Sequence, residues 1–231
     1  MKLRPFLQLV RFPLAFTAIA DSWAGYWIGL PHEELASLKI LAVLAWISAS
    51  FYMMGMALND LADRERDAAL HPGRPLPSAT VGIAQACLAI AALAAAGLWG
   101  LTFLPHFSNI VGLSLLLCII AYDLSLKKSR AAGALAMGTC RALNLYLGCS
   151  LNAPDRLQPA IVLGVYVAVV TLASTLEESR PAVQKWVRWS LWGIIPLDAA
   201  LAAGHGRAHE AGAILLLLAP RWILGRWIPV N

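Results

Sequence analysis

Apolar residues in this chain fall into runs longer than the core helices of a water-soluble protein need. The runs occupy about 12–30, 38–60, 80–103, 107–126, 131–151, 159–177, 186–203 and 210–228. A helix crossing the hydrocarbon core takes about 20 apolar residues, so the pattern predicts eight transmembrane helices. Pro196 and Pro220 interrupt the last two runs. Turn and breaker residues separate the others: Pro31; Pro105; Asn152 with Pro154 and Asp155; Gly204 with Gly206. The first run has features of a signal peptide, because Lys2, Arg4 and Arg11 precede it and Ala18-Ile19-Ala20 resembles a cleavage site. Apolar residues nevertheless continue through Trp23, Tyr26, Trp27 and Ile28, which favours a first span. There is no fixed-period repeat and no low-complexity tract. The predicted fold is all-α: one multi-pass transmembrane helical bundle of about eight helices over 1–231.

Composition agrees. Hydrophobic residues make up 59% and charged residues 13%, against about 25% charged in a typical soluble domain. This excludes a soluble globular domain, a disordered chain and a nucleic-acid-binding domain. Cys87, Cys118, Cys140 and Cys149 lie in apolar stretches without a CxxC pair, and read as packing residues. The net charge of +5 reads as an orientation signal. Lys2, Arg4, Arg11, Arg64, Arg66, Arg74, Lys127, Lys128, Arg130, Arg180, Lys185, Arg188 and Arg226 fall on one side of the predicted bundle, and Lys39, Arg156 and Arg207 on the other. The positive-inside rule then places both termini in the cytoplasm and the protein in the cell membrane.

Acids sit where a membrane protein avoids them. Asp60, Asp63, Glu65, Asp67, Asp123, Glu177 and Glu178 lie at the ends of the second, fourth and sixth runs. Such groups are costly in a bilayer and face the bundle interior or water. In a continuous helix, Asp60, Asp63 and Asp67 stand at i, i+3 and i+7, a stripe roughly 60° wide, with Asn59 beside it. Crowded carboxylates repel unless a cation sits between them. Hard oxygen donors suit magnesium, which completes its shell with substrate phosphates. The alternative is a solvated loop whose acids pair with Arg64 and Arg66.

Arg74 and Lys127 lie near the same surface and are candidates for phosphate contact, whereas Lys128 and Arg130 read as anchors. Arg141 and Asn144, with Gly148, share one face of the fifth run. An arginine within a span needs a partner. That partner is either an acid on a neighbouring helix or the diphosphate of a substrate. Ser174, Glu177 and Glu178 share a face of the sixth run; the two glutamates hold a second magnesium ion or simply end a helix. Asp21 and Asp198 read as buried, hydrogen-bonded acids without an assigned role.

The run NDLADRERD at 59–67 resembles the NDxxDxxxD motif of UbiA-type intramembrane prenyltransferases. RPLPS at 74–78 is similar to the family's basic Pro-rich segment, YDLSLKK at 122–128 to its Tyr/Lys segment, and CRALNLYLG at 140–148 to its Arg-Asn helix. The N-terminal LQLVRFPLAFTAIADSWAG resembles an EboC-like branch. The resemblance implies Asn59, Asp60, Asp63 and Asp67 as catalytic residues. It implies Arg74, Tyr122, Lys127, Arg141 and Asn144 as diphosphate-binding. Asp60, Asp63 and Asp67, with Glu177 and Glu178, are its implied Mg2+ ligands.

The second family motif is of DxxxD type. Here the matching place reads LEESR at 176–180, with glutamates and no later acid, which puts the second metal in doubt. The chain also has one predicted helix fewer than many members. The implied partners are an isoprenyl diphosphate, a lipophilic acceptor, with an aromatic ring as the family-level expectation, and membrane lipid. Two rivals share the sequence features: a terpene cyclase, and a non-catalytic polyprenyl-lipid binding or transport protein.

Overall fold

The computed structural model describes residues 3–175 and 181–228, and these form helices joined by short loops. A short helix α1 (Leu3–Leu9) leads through a 3-10 turn at Phe12–Leu14 into α2 (Ala15–Gly29). Then follow α3 (Leu38–Ala62), α4 (Arg64–Leu70), α5 (Ile83–Leu101), α6 (His106–Leu124), α7 (Arg130–Cys149) and α8 (Gln158–Ser174). The chain ends with α9 (Pro181–Trp192), α10 (Ile194–Gly204), α11 (Ala208–Leu216) and α12 (Leu218–Trp227). Three of these, α3, α5 and α6, are long and apolar enough to cross a membrane by length and composition.

The eight apolar runs each carry helix, with two differences. The seventh and eighth runs each divide in two, at Gly193 and at Leu217. The breaks fall three residues before Pro196 and Pro220, so each proline lies in the first turn of the following helix. There its missing N–H would have had no intrahelical acceptor. The second difference is that the seventh run's helix begins earlier than expected, at Pro181.

Small residues let α7 act as the central post, packed between α2, α6 and α8. A Cβ on Gly25 would overlap the Leu145 carbonyl oxygen, and one on Gly148 would overlap the Ser22 carbonyl oxygen. Association through close backbone approach is how helices pack in lipid, where burying apolar surface gains nothing. The outer surface stays apolar: Leu88, Leu117 and Leu135 are 72%, 66% and 66% exposed. Outward-facing leucines of this kind suit a lipid boundary.

Polar ties hold the bundle at two levels. At one end, Arg156 donates from Nη1 to the Ile28 carbonyl (2.6 Å), and Arg207 donates to the Leu30 and Pro31 carbonyls. These guanidinium groups satisfy carbonyls left open at the end of α2 and complement its dipole. Within the bundle, Arg141 Nη2 stands 3.0 Å from Asp21 Oδ1. Asn144 Nδ2 donates to the Ala18 carbonyl (2.7 Å) and to Asp21 Oδ2 (3.1 Å), and Ser48 Oγ donates to Asn144 Oδ1 (2.8 Å). One network thus ties α2, α3 and α7, with the fully buried Asp198 of α10 beside Asp21.

Gly148→Leu forces α2 and α7 apart, and is expected to cost about 3 kcal/mol or more and to lower the unfolding temperature in detergent. Gly212→Ala, at a position with open space around it, is expected to leave that temperature unchanged or slightly raised. Equal melting of the two variants would contradict the close-packing account.

Candidate active site

The ends of α3 and α6, the start of α4 and the turn before α2 meet at one end of the bundle. Arg11 adopts the left-handed conformation (φ 47°, ψ 46°) between α1 and the 3-10 turn. Leu9 and Val10, both fully buried, pack with Ala57 and Val81 and hold that turn against α3. This aims the Arg11 guanidinium at Asp60, with Nη2 to Oδ1 at 3.0 Å. The 71–82 loop folds back through a Val81 N–H to Pro75 carbonyl bond (3.0 Å). It brings Arg74 Nη1 to 2.6 Å from Asp67 Oδ2 and 4.0 Å from Asp60 Oδ1. Lys127, on the 3-10 turn after α6, donates to Asn59 Oδ1 (3.0 Å) and Asp63 Oδ2 (2.8 Å), with Asp123 Oδ1 at 4.0 Å.

Four carboxylates and three cations are therefore interleaved in one cluster. Asp60, Asp67 and Asp123 are buried, and the Asp63 side chain is 28% exposed. The carboxylates do not converge on a single point, unlike the continuous stripe expected from the sequence. The reason is local. α3 ends at Ala62, Asp63 turns with φ −95° and ψ 7°, and α4 restarts at Arg64. Asp60 and Asp67 then share Arg74, while Asp63 turns to Lys127. Among the described residues, no three acidic, histidine or cysteine side chains stand close enough together to hold a metal ion as they are placed. The donor chemistry still fits one: carboxylate and amide oxygens only, with Asp123 Oδ1 buried and without a hydrogen-bond partner.

Beneath the cluster lies a cavity of about 730 Å³, walled by Arg11 and Arg74 at one end. Tyr52, Met56, Tyr122, Met137 and Arg141 line it, and Val167, Val170 and Leu191 continue it on the side of α8 and α9. A smaller adjoining pocket, of about 70 Å³, reaches Asp123, Cys140 and Asn144.

The sequence-based candidates fall into three groups. Asn59, Asp60, Asp63, Asp67, Arg74 and Lys127 come together, and Tyr122 lines the cavity next to them. Arg141 and Asn144 stand deeper; Arg141 lies about 16 Å along α7 from Arg130. Both are engaged with Asp21, the neighbouring-acid alternative, while Arg141 also lines the cavity. Glu177 and Glu178 lie outside the described residues.

Sequence reasoning missed Arg11 and Tyr52. Arg11 was counted among the anchoring basic residues, and its only distinct signal was the Arg-Phe-Pro turn that follows α1. Asp123 was noted as an acid at a span end but not placed in the site; its i,i+4 spacing to Lys127 was the available clue.

Taken together, the fold and cluster define an integral membrane protein with a lipid-sized chamber and a charged mouth. The family model for the UbiA prenyltransferase family matches residues 18–178. The digeranylgeranylglyceryl phosphate synthase of Ignicoccus hospitalis is 31% identical over 97% of this chain and 75% of its own length. That of Metallosphaera sedula is 30% identical over 74% of this chain and 60% of its own. A UbiA homologue from Archaeoglobus fulgidus, solved bound to DMAPP and Mg2+, has a TM-score of 0.65 at 18% identity, covering 95% of this chain and 85% of that one. The chain belongs to the UbiA prenyltransferase family and is an intramembrane prenyltransferase.

Removing one partner of a buried ion pair strands the other, which typically costs about 3–5 kcal/mol. Asp21→Ala is therefore expected to destabilise the bundle strongly, and Asp21→Ala combined with Arg141→Met to recover much of the loss. Thermal unfolding in detergent checks this, and identical melting of the single and double variants would overturn the pairing.

Proposed function

We propose that the protein ionises an isoprenyl diphosphate in a Mg2+-dependent reaction and transfers the prenyl group to a lipophilic acceptor. The observation that carries this reading is the interleaved cluster at the mouth of an apolar chamber. Arg11, Arg74 and Lys127 are suited to hold phosphate oxygens, and Asn59, Asp60, Asp63 and Asp67 supply hard donors for magnesium. Asp123 joins that donor set, and Glu177 with Glu178 would form a second one. Bound magnesium would offset the charge of the departing pyrophosphate and so ease C–O cleavage.

The chain's own groups do the rest. The three cations exchange their carboxylate partners for phosphate oxygens and keep the leaving group at the mouth. Tyr122, with Tyr52, presents an aromatic wall near the allylic carbons, where a developing cation is favoured by the ring faces. Val167, Val170 and Leu191 exclude water that would quench that cation. The relatives' printed name and the DMAPP and Mg2+ on the A. fulgidus homologue support this reading. For the acceptor, an aromatic ring and a phosphorylated glycerol lipid are the two classes to compare. The mouth, both termini and Lys128 with Arg130 are placed on the cytoplasmic side of the cell membrane by the positive-inside rule.

Purified protein with Mg2+ is expected to release pyrophosphate from an allylic diphosphate, and to lose this with chelator. Asp63→Ala, partly exposed and so tolerated by the fold, is expected to cut kcat about 100-fold or more. Unchanged turnover would remove Asp63 from the site. Product mass spectra separate the rivals: an adduct supports transfer, a hydrocarbon or terpenol a cyclase, and no pyrophosphate release a binding protein. Lys128→Cys, in a background with the four native cysteines changed to alanine, is expected to react with an impermeant thiol reagent only from the cytoplasmic face. Labelling from outside would reverse the orientation.

A further inference from the structure

Two acids meet inside the bundle, away from the mouth. Asp21, on α2, and Asp198, on α10, are both fully buried, and their carboxyl groups are in hydrogen-bond contact. Asp21 has other partners: Arg141 Nη2 stands 3.0 Å from its Oδ1, and Asn144 Nδ2 donates to its Oδ2 (3.1 Å). Asp198 has Asp21.

The surroundings of Asp198 are accounted for. α10 packs against α2, α8, α9 and α11. The charges that act on Asp198 are those of Asp21 and Arg141. The remaining titratable groups of the packed helices are turned to other tasks. Tyr26 of α2 accepts from the Ser37 N–H, and Tyr166 of α8 donates to the Ser190 carbonyl. Glu210 of α11 is paired with Arg207, and His209 beside it is exposed. On α9, Lys185 and Arg188 are exposed.

Two carboxylates in contact repel too strongly for both to ionise away from water, and such a pair keeps one proton. The contact itself requires a hydrogen, because an ionised carboxyl group only accepts. Asp21 is the better anion, since a guanidinium and an amide N–H already face it.

We infer that Asp21 and Asp198 form a proton-binding site within the membrane, in which Asp198 is a carboxylic acid whose O–H donates to the Asp21 carboxylate. Arg141, Asp21 and Asp198 then carry no net charge, which is the inexpensive way to tie α2, α7 and α10 in lipid. Removing the proton would set two anions against each other across the α2–α10 contact. Asp198 is not among the residues lining the chamber, whereas Arg141 is. Asp198 is thus a positioning residue that acts on Arg141 through Asp21. This holds whether or not prenyl transfer is the reaction.

The site has a spectroscopic and a thermodynamic readout. The full chain in dodecyl maltoside, a detergent without carbonyl groups, is expected to show the infrared C=O band of a protonated carboxyl group at neutral pH. The band shifts in D2O and on 13C-labelling of aspartate, and is lost in Asp198→Asn. It is expected both with and without Mg2+ and geranyl thiodiphosphate, an inert donor analogue. Unfolding exposes Asp198 to water, where it ionises, so folding takes up one proton here. Stability from this site is therefore lost as pH rises. In reversible unfolding by sodium dodecyl sulfate between about pH 6 and about pH 8, the wild type is expected to lose stability relative to Asp198→Asn by about tenfold in the unfolding constant per pH unit. Should Asp198→Asn not fold, Asp198→Ala takes its place in both measurements.

Three results would overturn the inference: no such band in the wild type, a band that survives the loss of Asp198 or appears only with the analogue, or a stability difference that does not change with pH.

Discussion

Charge balance at the edge of an apolar chamber is the constraint on which the rest depends. Asp60, Asp67 and Asp123 are buried at helix ends in a protein built for lipid. Carboxylates in such a place are kept only with partners. Arg11, Arg74 and Lys127 supply them, each from a segment that does little else: a left-handed turn, a folded-back loop and a 3-10 turn. Three cations face four carboxyl groups, so one acid has no cation of its own. Its pairing is also shared, since Asp60 is reached by two arginines and Lys127 lies 3.0 Å from Asn59, 2.8 Å from Asp63 and 4.0 Å from Asp123. A dicationic metal together with a polyanionic substrate satisfies both halves at once, whereas either alone must compete with the existing pairs.

The deeper tie of Asp21, Arg141, Asn144 and Ser48 serves the mouth indirectly. It fixes α2, α3 and α7 against one another below the cluster. Gly25 and Gly148 permit the approach that makes those bonds possible. The two levels differ in chemistry. In the deep network Asn144 is held by bonds of 2.7–3.1 Å to backbone and side chains, as suits a fixed support. The mouth is held by long side chains that can change partners.

Much of this was legible in the sequence. The apolar runs located the helices, because hydrophobic length is dictated by the bilayer and not by distant contacts. The NDLADRERD run, Arg74 and Lys127 could be placed at one end because helix ends alternate sides. What was not legible depended on contacts remote in sequence. Arg11 looks like any N-terminal anchoring residue until α1 turns it onto Asp60, 49 positions away. The partner of Arg141 is Asp21, on a helix 120 residues earlier, and no local spacing encodes that choice. The divided carboxylate stripe followed from a break at Asp63 that propensity does not mark. The helix breaks at Gly193 and Leu217 were signalled by proline, but three residues downstream of where the chain bends.

The central claim is that the mouth's carboxylates are occupied by cations until metal and diphosphate arrive together. Titration of Mn2+ followed by its electron paramagnetic resonance signal, with and without geranyl thiodiphosphate, tests it directly. Exchange of partners predicts that the analogue tightens Mn2+ binding by about tenfold or more, and reciprocally that Mn2+ tightens the analogue by the same factor. Equally tight Mn2+ binding in the presence and absence of the analogue would contradict the account.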